Sequence, residues 1–212
     1  MTKPSVLLAD DHRMVAEGLK GLLAEEFELL GIVEDGRILV EQARELSPDL
    51  IVADISMPHL NGIDALVQLK RDNPDVRVVF LTMHRDAAYA RRALEAGAYG
   101  YVLKHAAPAE LVLALKAALQ GRTFITPDLS AELLLKEKQG LGVAANPLAA
   151  MTCRQREILQ LLAEGNSAKK IAATLGLSAR TVEDHKYRMM ESLGLENSAE
   201  LVHFAIKQGL IP

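Results

Sequence analysis

Five short apolar runs alternate with five segments of helical periodicity in the first part of this chain. The apolar runs cover residues 6–9, 29–33, 50–54, 76–81 and 99–103, and the helical segments cover 14–27, 38–46, 62–71, 87–95 and 108–119. Nearly continuous apolar runs are typical of strands buried on both faces, and parallel strands need helical crossovers between them. The alternation therefore predicts an α/β domain, with a five-stranded parallel sheet covered by helices on both sides.

Polar side chains follow four of these apolar runs at the point where each strand should end. Asp10 and Asp11 follow the first, Asp54 ends the third, Thr82 follows the fourth and Lys104 the fifth. Because parallel strands end at one edge of a sheet, these side chains should meet there. Crowded carboxylates need a neutralising cation, and oxygen ligands suit Mg²⁺. The set predicts a magnesium site at which Asp54 accepts a phosphoryl group, with Lys104 and Thr82 binding its oxygens.

Three other interpretations of this edge remain open from the residues alone. A single aspartate at a strand end most often caps the next turn, and only its polar neighbours favour the phosphoryl site. An aspartate-nucleophile phosphohydrolase of the haloacid dehalogenase kind would need a second acid two residues later, where Ser56 stands. The sequence therefore favours a regulator over an enzyme. A regulator that acts through protein contacts alone, with a vestigial tail, is the third alternative.

Composition and charge indicate the compartment and the partners. One cysteine, a start without an apolar leader and apolar runs too short to span a bilayer predict a cytoplasmic protein with no membrane partner. Of the formal net charge of −4, residues 148–212 contribute 8 Lys and Arg against 7 Asp and Glu, or +1, which leaves 16 against 21, or −5, for residues 1–147. The difference indicates different partners for the two parts, although +1 is a weak signature for nucleic acid.

The chain changes character after residue 122. Residues 123–147 contain a short helix that begins near Thr126 and then small residues and glycines without periodicity, which are typical of a linker. From Thr152 onward four helices are predicted, and Gly176 forms a tight turn between the second and the third. Two short helices joined through a glycine turn are typical of a helix-turn-helix unit, but the periodicity fits a structural helical bundle equally well.

Residues 5–120 resemble the receiver domain of bacterial two-component response regulators. The resemblance is carried, in chain order, by Asp10-Asp11, Asp54 before Met57-Pro58, Asn61-Gly62, Thr82 and Lys104. It implies a flavodoxin-like fold in which Asp54 is the phosphoacceptor, assisted by Thr82 and Lys104.

The same resemblance implies a metal site and a switch. Mg²⁺ would be held by Asp11, Asp54 and the backbone carbonyl of Ser56, with Asp10 acting through water. Thr82 and Tyr101 would form the switch pair, in which the hydroxyl moves toward the phosphoryl oxygens and the ring swings inward.

Residues 148–212 resemble the DNA-binding domain of the LuxR type. The matching residues are Thr152, Glu157, Leu161, Gly165, Ile171, Ala172, Leu175, Ser178, Thr181, Val182, His185, Leu193 and Gly194. The resemblance implies that the helix after Ser178 enters the major groove. The DNA contacts would come from Lys169, Lys170, Ser178, Arg180, Thr181, Glu183, Asp184, His185, Lys186, Tyr187 and Arg188.

Two features of this second part bear on affinity. Glu183 stands where such families commonly have lysine, and its acidic pair with Asp184 should weaken binding by a monomer. The last helix, over residues 198–208, is the expected dimer contact through Leu201, Val202, Ala205 and Ile206, although these residues could also close the core of the helical domain.

The whole chain resembles a response regulator of the NarL/FixJ subfamily. We expect a five-stranded, parallel, doubly wound receiver over residues 1–122, a linker with a short helix over 123–147, and an all-α four-helix DNA-binding domain over 148–212. The implied function is a DNA-binding transcriptional regulator, not an enzyme, with Mg²⁺ as its cofactor. The expected partners are a sensor histidine kinase, double-stranded promoter DNA, a second copy of the chain when phosphorylated, and RNA polymerase as a further candidate.

Overall fold

Six parallel strands form one sheet in the N-terminal part of the described chain. The computed structural model describes residues 3–106, 108–138 and 147–211, and its strands are β1 (Ser5–Ala9), β2 (Glu28–Val33), β3 (Leu50–Ala53), β4 (Val78–Thr82), β5 (Gly100–Leu103) and β6 (Phe124–Ile125). The strand order is β2-β1-β3-β4-β5-β6, and every neighbouring pair is parallel. The winding reverses between β1 and β3, and in such sheets ligands bind beyond the carboxyl ends of the strands at this point.

Ten α-helices accompany these strands within the described residues. They are α1 (Arg13–Ala24), α2 (Gly36–Leu46), α3 (Gly62–Asp72), α4 (Ala87–Glu95), α5 (Pro108–Leu119), α6 (Pro127–Lys138), α7 (Cys153–Ala163), α8 (Ala168–Leu175), α9 (Ala179–Leu193) and α10 (Ser198–Lys207), and a 3-10 helix, Pro147–Ala150, precedes α7. The first five alternate with β1 to β5 as the sequence predicts.

The sheet has an apolar core on each face. Because side chains alternate along a strand, Leu7 of β1 packs with α2, α3 and α4 on one face, while Val6 and Leu8 pack with α1 and α5 on the other. The strands β3, β4 and β5 are buried throughout. The predicted α/β class with a doubly wound parallel sheet is therefore confirmed.

The structure adds a sixth strand that the sequence pattern does not predict. Phe124 donates its backbone N–H to the Tyr99 carbonyl oxygen and Thr126 donates to that of Tyr101, so β6 extends the sheet beside β5. Helix α6 follows directly, and its Leu129 is buried in the core of this α/β domain. A two-residue strand is too short for periodicity to reveal. The first half of the expected linker thus lies on the sheet, and its glycine-containing stretch over 139–146 lies outside the described residues.

The C-terminal part is helical, as predicted. Helices α7 to α10 enclose a separate apolar core that includes Ile158, Ile171, Val182 and Leu201. The Thr152 capping box with Gln155 is present at the start of α7. Among the described helices, none combines the length and the apolar character needed to cross a membrane.

Gly62 tests how tightly the sheet edge is packed. A Cβ at this position would collide with the carbonyl oxygen of Asp54 and lie 2.9 Å from the Phe80 ring. We expect Gly62→Ala to lower the free energy of unfolding by about 1–3 kcal/mol in urea denaturation, as overpacking does. The control is Gly18→Ala in α1, where a Cβ meets nothing within 4 Å and should raise stability by about 0.5–1 kcal/mol. Equal effects of the two substitutions would contradict the packing argument.

Candidate functional site

Two carboxylates and an ammonium group are in direct contact beyond the ends of β1, β3 and β5. Lys104 Nζ lies 2.6 Å from Asp54 Oδ2 and 2.8 Å from Asp10 Oδ2. All three side chains are buried, with exposed fractions of 7% for Lys104, 4% for Asp54 and 1% for Asp10. Burial by itself would lower the pKa of Lys104, but hydrogen bonds to Asp10 and Asp54 outweigh it and raise this pKa above its usual value. Lys104 therefore stays charged and compensates both acids.

The backbone holds the other oxygen of Asp54. Asp54 donates its N–H to the Ala9 carbonyl oxygen at 2.8 Å, which fixes the end of β3 against β1. Its Oδ1 accepts hydrogen bonds from the N–H of Ile55 at 2.6 Å and of Ser56 at 3.3 Å. Since Lys104 binds Oδ2, the carboxylate is oriented from both sides. Such fixed orientation is what a nucleophilic carboxylate needs.

The donor set at this edge fits a hard divalent cation. Ligand atoms of Asp10, Asp11, His12 and Asp54 lie within 4.8 Å of one another. Asp11 Oδ1 is buried and accepts no hydrogen bond within the part of the chain that the structure describes, although His12 Nδ1 lies 2.8 Å away. A buried carboxylate oxygen without a donor is costly unless a cation faces it. The oxygens of Asp10, Asp11 and Asp54 are the ligand type that Mg²⁺ prefers.

Thr82 and Tyr101 both contact the backbone of His84. Thr82 is fully buried at the end of β4, and its Oγ1 accepts a hydrogen bond from the His84 N–H at 3.3 Å. The Tyr101 ring is also fully buried, and its hydroxyl donates to the His84 carbonyl oxygen at 2.9 Å. The structure therefore brings the two residues of the expected switch pair to one loop, with the tyrosine ring inside the protein.

His84 links this loop to the loop after β3. Its Nε2 lies 2.8 Å from Ser56 Oγ, and its ring stacks on Tyr89 at 4.4 Å between centroids. Burial lowers the pKa of His84, although the charges of Asp54 and Asp86 act in the opposite direction. The lowered pKa keeps the imidazole neutral at pH 7. The contact with His84 Nε2 positions the Ser56 side chain, in addition to the backbone.

The loop after β3 also contacts the helical domain through Gln160 of α7. Gln160 is fully buried. Its Nε2 donates to the Met57 carbonyl oxygen at 2.7 Å, and its Oε1 accepts from the Asn61 N–H at 2.8 Å. Asn61 in turn caps α3 by accepting the Asp64 N–H. A single amide therefore satisfies two backbone groups of the loop that begins at Asp54.

A buried ion pair lies beside this contact. Arg156 Nε and Nη2 both donate to Asp64, with Nε–Oδ distances of 2.8 and 3.0 Å, and the Asp64 side chain is 0% exposed. Arg92 lies 3.9 Å from the same carboxylate. Burial lowers the pKa of Arg92, whereas that of Arg156 is raised because its hydrogen bond to Asp64 outweighs burial. The pair joins α3 to α7 across the two domains.

The end of α10 forms a further contact between the domains. The Tyr89 hydroxyl of α4 donates to the carbonyl oxygen of Gln208, one residue beyond α10. Because Tyr89 stacks on His84, this contact joins the loop after β4 to the last helix. The two loops that surround Asp54 thus each support part of the helical domain.

Helices α8 and α9 have the geometry of a helix-turn-helix unit. Ser167 caps α8, Gly176 ends it in the left-handed conformation with φ of 64°, and Ser178 caps α9 by accepting the Thr181 N–H. Val182 and Met189 bury one face of α9 in the domain core. The opposite face is open to solvent, as a recognition helix requires.

The expected DNA contacts lie on or beside this open face. Exposed residues are Lys169, Lys170, Ser178, Arg180, Asp184, Tyr187 and Arg188, and half-buried ones are Thr181, Glu183, His185 and Lys186. Lys186 forms an ion pair with Glu183 one turn earlier on α9. The charge of Glu183 is therefore partly compensated, so Asp184 is the acid that most opposes a phosphate backbone.

The contacts between the domains are the functional feature that sequence reasoning missed. Asp64 and Arg156 are 92 residues apart, and Asn61 and Gln160 are 99 apart. The only local signal was that Arg156 and Gln160 stand four residues apart on a helix, next to its apolar stripe. A polar pair at that spacing is ordinarily solvent-exposed, so the pattern does not distinguish an interface.

Together, an acid and lysine site at the edge of a doubly wound sheet and an open helix-turn-helix unit define a two-domain DNA-binding regulator. Residues 6–116 match the family described as response regulator receiver domain, and residues 149–205 match bacterial regulatory proteins of the luxR family. The chain belongs to the response regulators of the NarL/FixJ family. The expected class of function, DNA-binding transcriptional regulation, is thereby confirmed.

Several known proteins are similar over nearly the whole chain. Response regulator UvrY of Escherichia coli is 31% identical over 208 residues, which are 97% of this chain and 95% of the relative. One solved structure is RcsB from Salmonella enterica serovar Typhimurium, bound to a promoter in the presence of the phosphomimetic BeF3-. It is 30% identical to this chain with a TM-score of 0.64, and the match covers 96% of this chain and 98% of the RcsB chain. A structure of two RcsB dimers bound to two parallel DNAs is 28% identical with a TM-score of 0.60. The match covers 98% of this chain and 100% of that RcsB chain.

The ion pair of Arg156 allows a test of the contact between the domains. We expect Arg156→Met to weaken this contact by about 3–5 kcal/mol, because the buried Asp64 carboxylate would lose its hydrogen-bonded partner. Hydrogen exchange followed by mass spectrometry should show faster exchange in α7 and in residues 55–61. Arg91→Gln is the control, because Arg91 pairs with Glu95 at the surface, where both are at least half exposed, and such pairs contribute about 1 kcal/mol or less. Unchanged exchange in Arg156→Met would show that the pair does not hold the domains.

Proposed function

We propose that a sensor histidine kinase supplies a phosphoryl group to Asp54, and that this change controls the binding of a homodimer to double-stranded promoter DNA. The observation that carries the proposal is the Asp54 carboxylate, held between Lys104 and two backbone N–H groups. It lies on a chain whose other domain presents an open helix-turn-helix face. A buried carboxylate with this support is suited to accept a phosphoryl group.

The phosphoryl transfer follows from the groups at the edge of the sheet. An oxygen of the Asp54 carboxylate attacks the phosphorus of a phosphohistidine on the kinase, and the P–N bond breaks with its electron pair returning to the imidazole. Lys104 then pairs with a phosphoryl oxygen in place of the carboxylate oxygen that it binds now. The Thr82 hydroxyl can rotate to donate to a second phosphoryl oxygen, since its present contact uses it only as an acceptor.

Asp11, Asp54 and the Ser56 carbonyl would hold Mg²⁺, with Asp10 reaching it through water. Bound Mg²⁺ supplies positive charge for the phosphoryl oxygens. Asp11 Oδ1 is buried and accepts no hydrogen bond from the residues that the structure describes, which supports this assignment. Because Ser56 is oriented by His84 Nε2, the carbonyl end of the site is held by two loops.

Removal of one ligand tests the metal site. We expect Mg²⁺ to raise the thermal unfolding midpoint of the protein, since a ligand at a hundredfold its dissociation constant stabilises by about 2.7 kcal/mol. In Asp11→Asn this stabilisation should fall sharply, because the amide carries no charge to compensate the cation. Ca²⁺-free buffer and a matched ionic strength of NaCl serve as controls. Equal stabilisation of Asp11→Asn and the parent protein by Mg²⁺ would exclude Asp11 as a ligand.

A charge change at Asp54 would act on both contacts between the domains. The Ser56 carbonyl that would bind Mg²⁺ is one residue from the Met57 carbonyl that accepts from Gln160. On the other side, Thr82 contacts the His84 backbone, and the His84 ring stacks on the Tyr89 that holds Gln208. Movement of either loop toward a phosphoryl group would therefore disturb a contact with α7 or with the end of α10.

The last helix supports dimerisation. Of its four apolar residues expected at a dimer contact, Leu201 and Ala205 are buried and close the core, whereas Val202 is half-buried and Ile206 is 47% exposed. Ile206 lies two residues before Gln208, which contacts the receiver. Release of Gln208 would thus clear the surface next to Ile206 for a second copy. RcsB is similar to this chain, and a structure of two RcsB dimers bound to two parallel DNAs supports this arrangement.

DNA binding would use α9 in the major groove. The cations Lys169, Lys170, Arg180 and Arg188 are exposed and can reach phosphates, while Tyr187 is 62% exposed and can reach base edges. A dimer doubles these phosphate contacts, which compensates for the acidic Asp184.

Footprinting of promoter DNA tests the whole proposal. The intact protein, treated with acetyl phosphate and Mg²⁺, should protect specific sites at least about tenfold more tightly than untreated protein, a difference of about 1.4 kcal/mol. Asp54→Ala should show no response to the donor. Asp75→Ala, an exposed aspartate outside the site, is the matched control and should respond like the parent. Donor-dependent protection by Asp54→Ala would overturn the assignment of Asp54.

A further inference from the structure

Four arginines line a cleft between the two domains. The cleft has a volume of about 630 Å³ and lies between α2 and α3 of the receiver and α7 and the α8–α9 turn of the helical domain. Its charged lining consists of Arg37, Arg44, Arg71 and Arg154, with Asp72 and Glu157 as the acids. Four guanidinium groups against two carboxylates leave a charge of +2, in a protein whose formal net charge is −4.

The contacts of these arginines leave positive charge available to a ligand. Arg37 and Arg154 share the single carboxylate of Glu157, at 3.1 and 2.8 Å. Arg44 pairs with Asp72 at 2.6 Å. Arg71 donates only a weak contact to Cys153 Sγ at 3.9 Å, and no carboxylate lies within 4.0 Å of it in the residues that the structure describes. Because the two carboxylates offset only two of the four guanidinium charges, an anion that enters the cleft meets a net positive charge.

We propose that this cleft binds a phosphate-bearing small molecule the size of a nucleotide. Planar guanidinium groups bind phosphate oxygens in pairs, so arginine-lined sites favour this chemistry over a single halide ion. A dianionic phosphate monoester matches the charge of +2, and the volume lies in the range of small-molecule sites. Binding of this kind is separate from the acceptance of a phosphoryl group at Asp54, because neither Asp54 nor Lys104 lines the cleft.

The ligand would join the two domains. Arg37, Arg44 and Arg71 belong to the receiver, and Arg154 belongs to α7. A molecule that contacts both sides binds the docked arrangement more tightly than the separated one, so it shifts the population toward docking. This regulatory consequence depends on the proposed function, in which release of the helical domain permits DNA binding, whereas the binding itself does not.

The single cysteine gives a direct measure of occupancy. Cys153 is half-buried and lines the same cleft. We expect adenosine monophosphate to slow the alkylation of Cys153 by N-ethylmaleimide in the full chain, while adenosine, which has the same base and sugar without the phosphate, should not. The rate is compared with and without nucleotide in each variant at constant ionic strength, so that changes in intrinsic thiol reactivity cancel.

Arg71→Gln is the decisive variant, because Arg71 forms no ion pair with the residues that the structure describes, so no such pair is lost on substitution. We expect it to weaken protection by adenosine monophosphate at least about tenfold, as the loss of a charged hydrogen bond does. Arg91→Gln, at the surface of α4, should leave protection unchanged. All rates are measured without a phosphodonor and without Mg²⁺, so the result does not depend on phosphorylation of Asp54.

Three results with nucleotide would overturn the proposal. They are equal protection by adenosine and adenosine monophosphate, absence of protection up to about 10 mM nucleotide, and undiminished protection in Arg71→Gln. Protection by duplex DNA of random sequence in place of the nucleotide would likewise overturn it, and would assign these arginines to the DNA backbone. In the three cases with nucleotide, the ion pairs of Glu157 serve only to hold the domains together.

Discussion

The contact of one lysine with two aspartates governs the arrangement of the sheet edge. Lys104, Asp10 and Asp54 follow three strands of one sheet, β5, β1 and β3, and burying any of them alone would cost several kcal/mol. Together they compensate one another, so the side chains of Asp10 and Asp54 can be buried to 1% and 4% exposure. This contact requires that β1, β3 and β5 end at the same level of the sheet, which restricts the conformations open to the chain. The same constraint places Asp11 and Thr82 beside them.

The loops that complete this edge also hold the helical domain. One loop carries Ser56 and the Met57 carbonyl that accepts from Gln160, and the other carries His84, which stacks on Tyr89. A charge change at the sheet edge would therefore act directly on the second domain, because the backbone of these two loops is itself part of the contact. The face of α9 opposite its buried residues stays open to solvent in this arrangement, so contact with the receiver does not cover it.

The class of fold and the members of the site could be predicted from the sequence, because both depend on local pattern. Buried parallel strands are continuous apolar runs, and the residue after each run must lie at the same edge, so Asp10, Asp54 and Lys104 meet wherever such a sheet forms. The sixth strand could not be predicted. Phe124 and Ile125 are two residues whose strand character depends on the unpaired edge of β5, which exists only after the sheet has folded.

By itself, the sequence determined which residues are brought to the sheet edge and that two domains of different class follow one another. Only the tertiary structure decided how the domains contact each other. Asp64 with Arg156 and Asn61 with Gln160 are polar pairs separated by more than 90 residues, and neither leaves a periodic signal. The net charge of the cleft between the domains has the same origin, since arginines from three helices, α2, α3 and α7, become neighbours only when α7 packs on α3. Local propensity sets the elements, but complementarity of burial and charge across the chain sets their assembly.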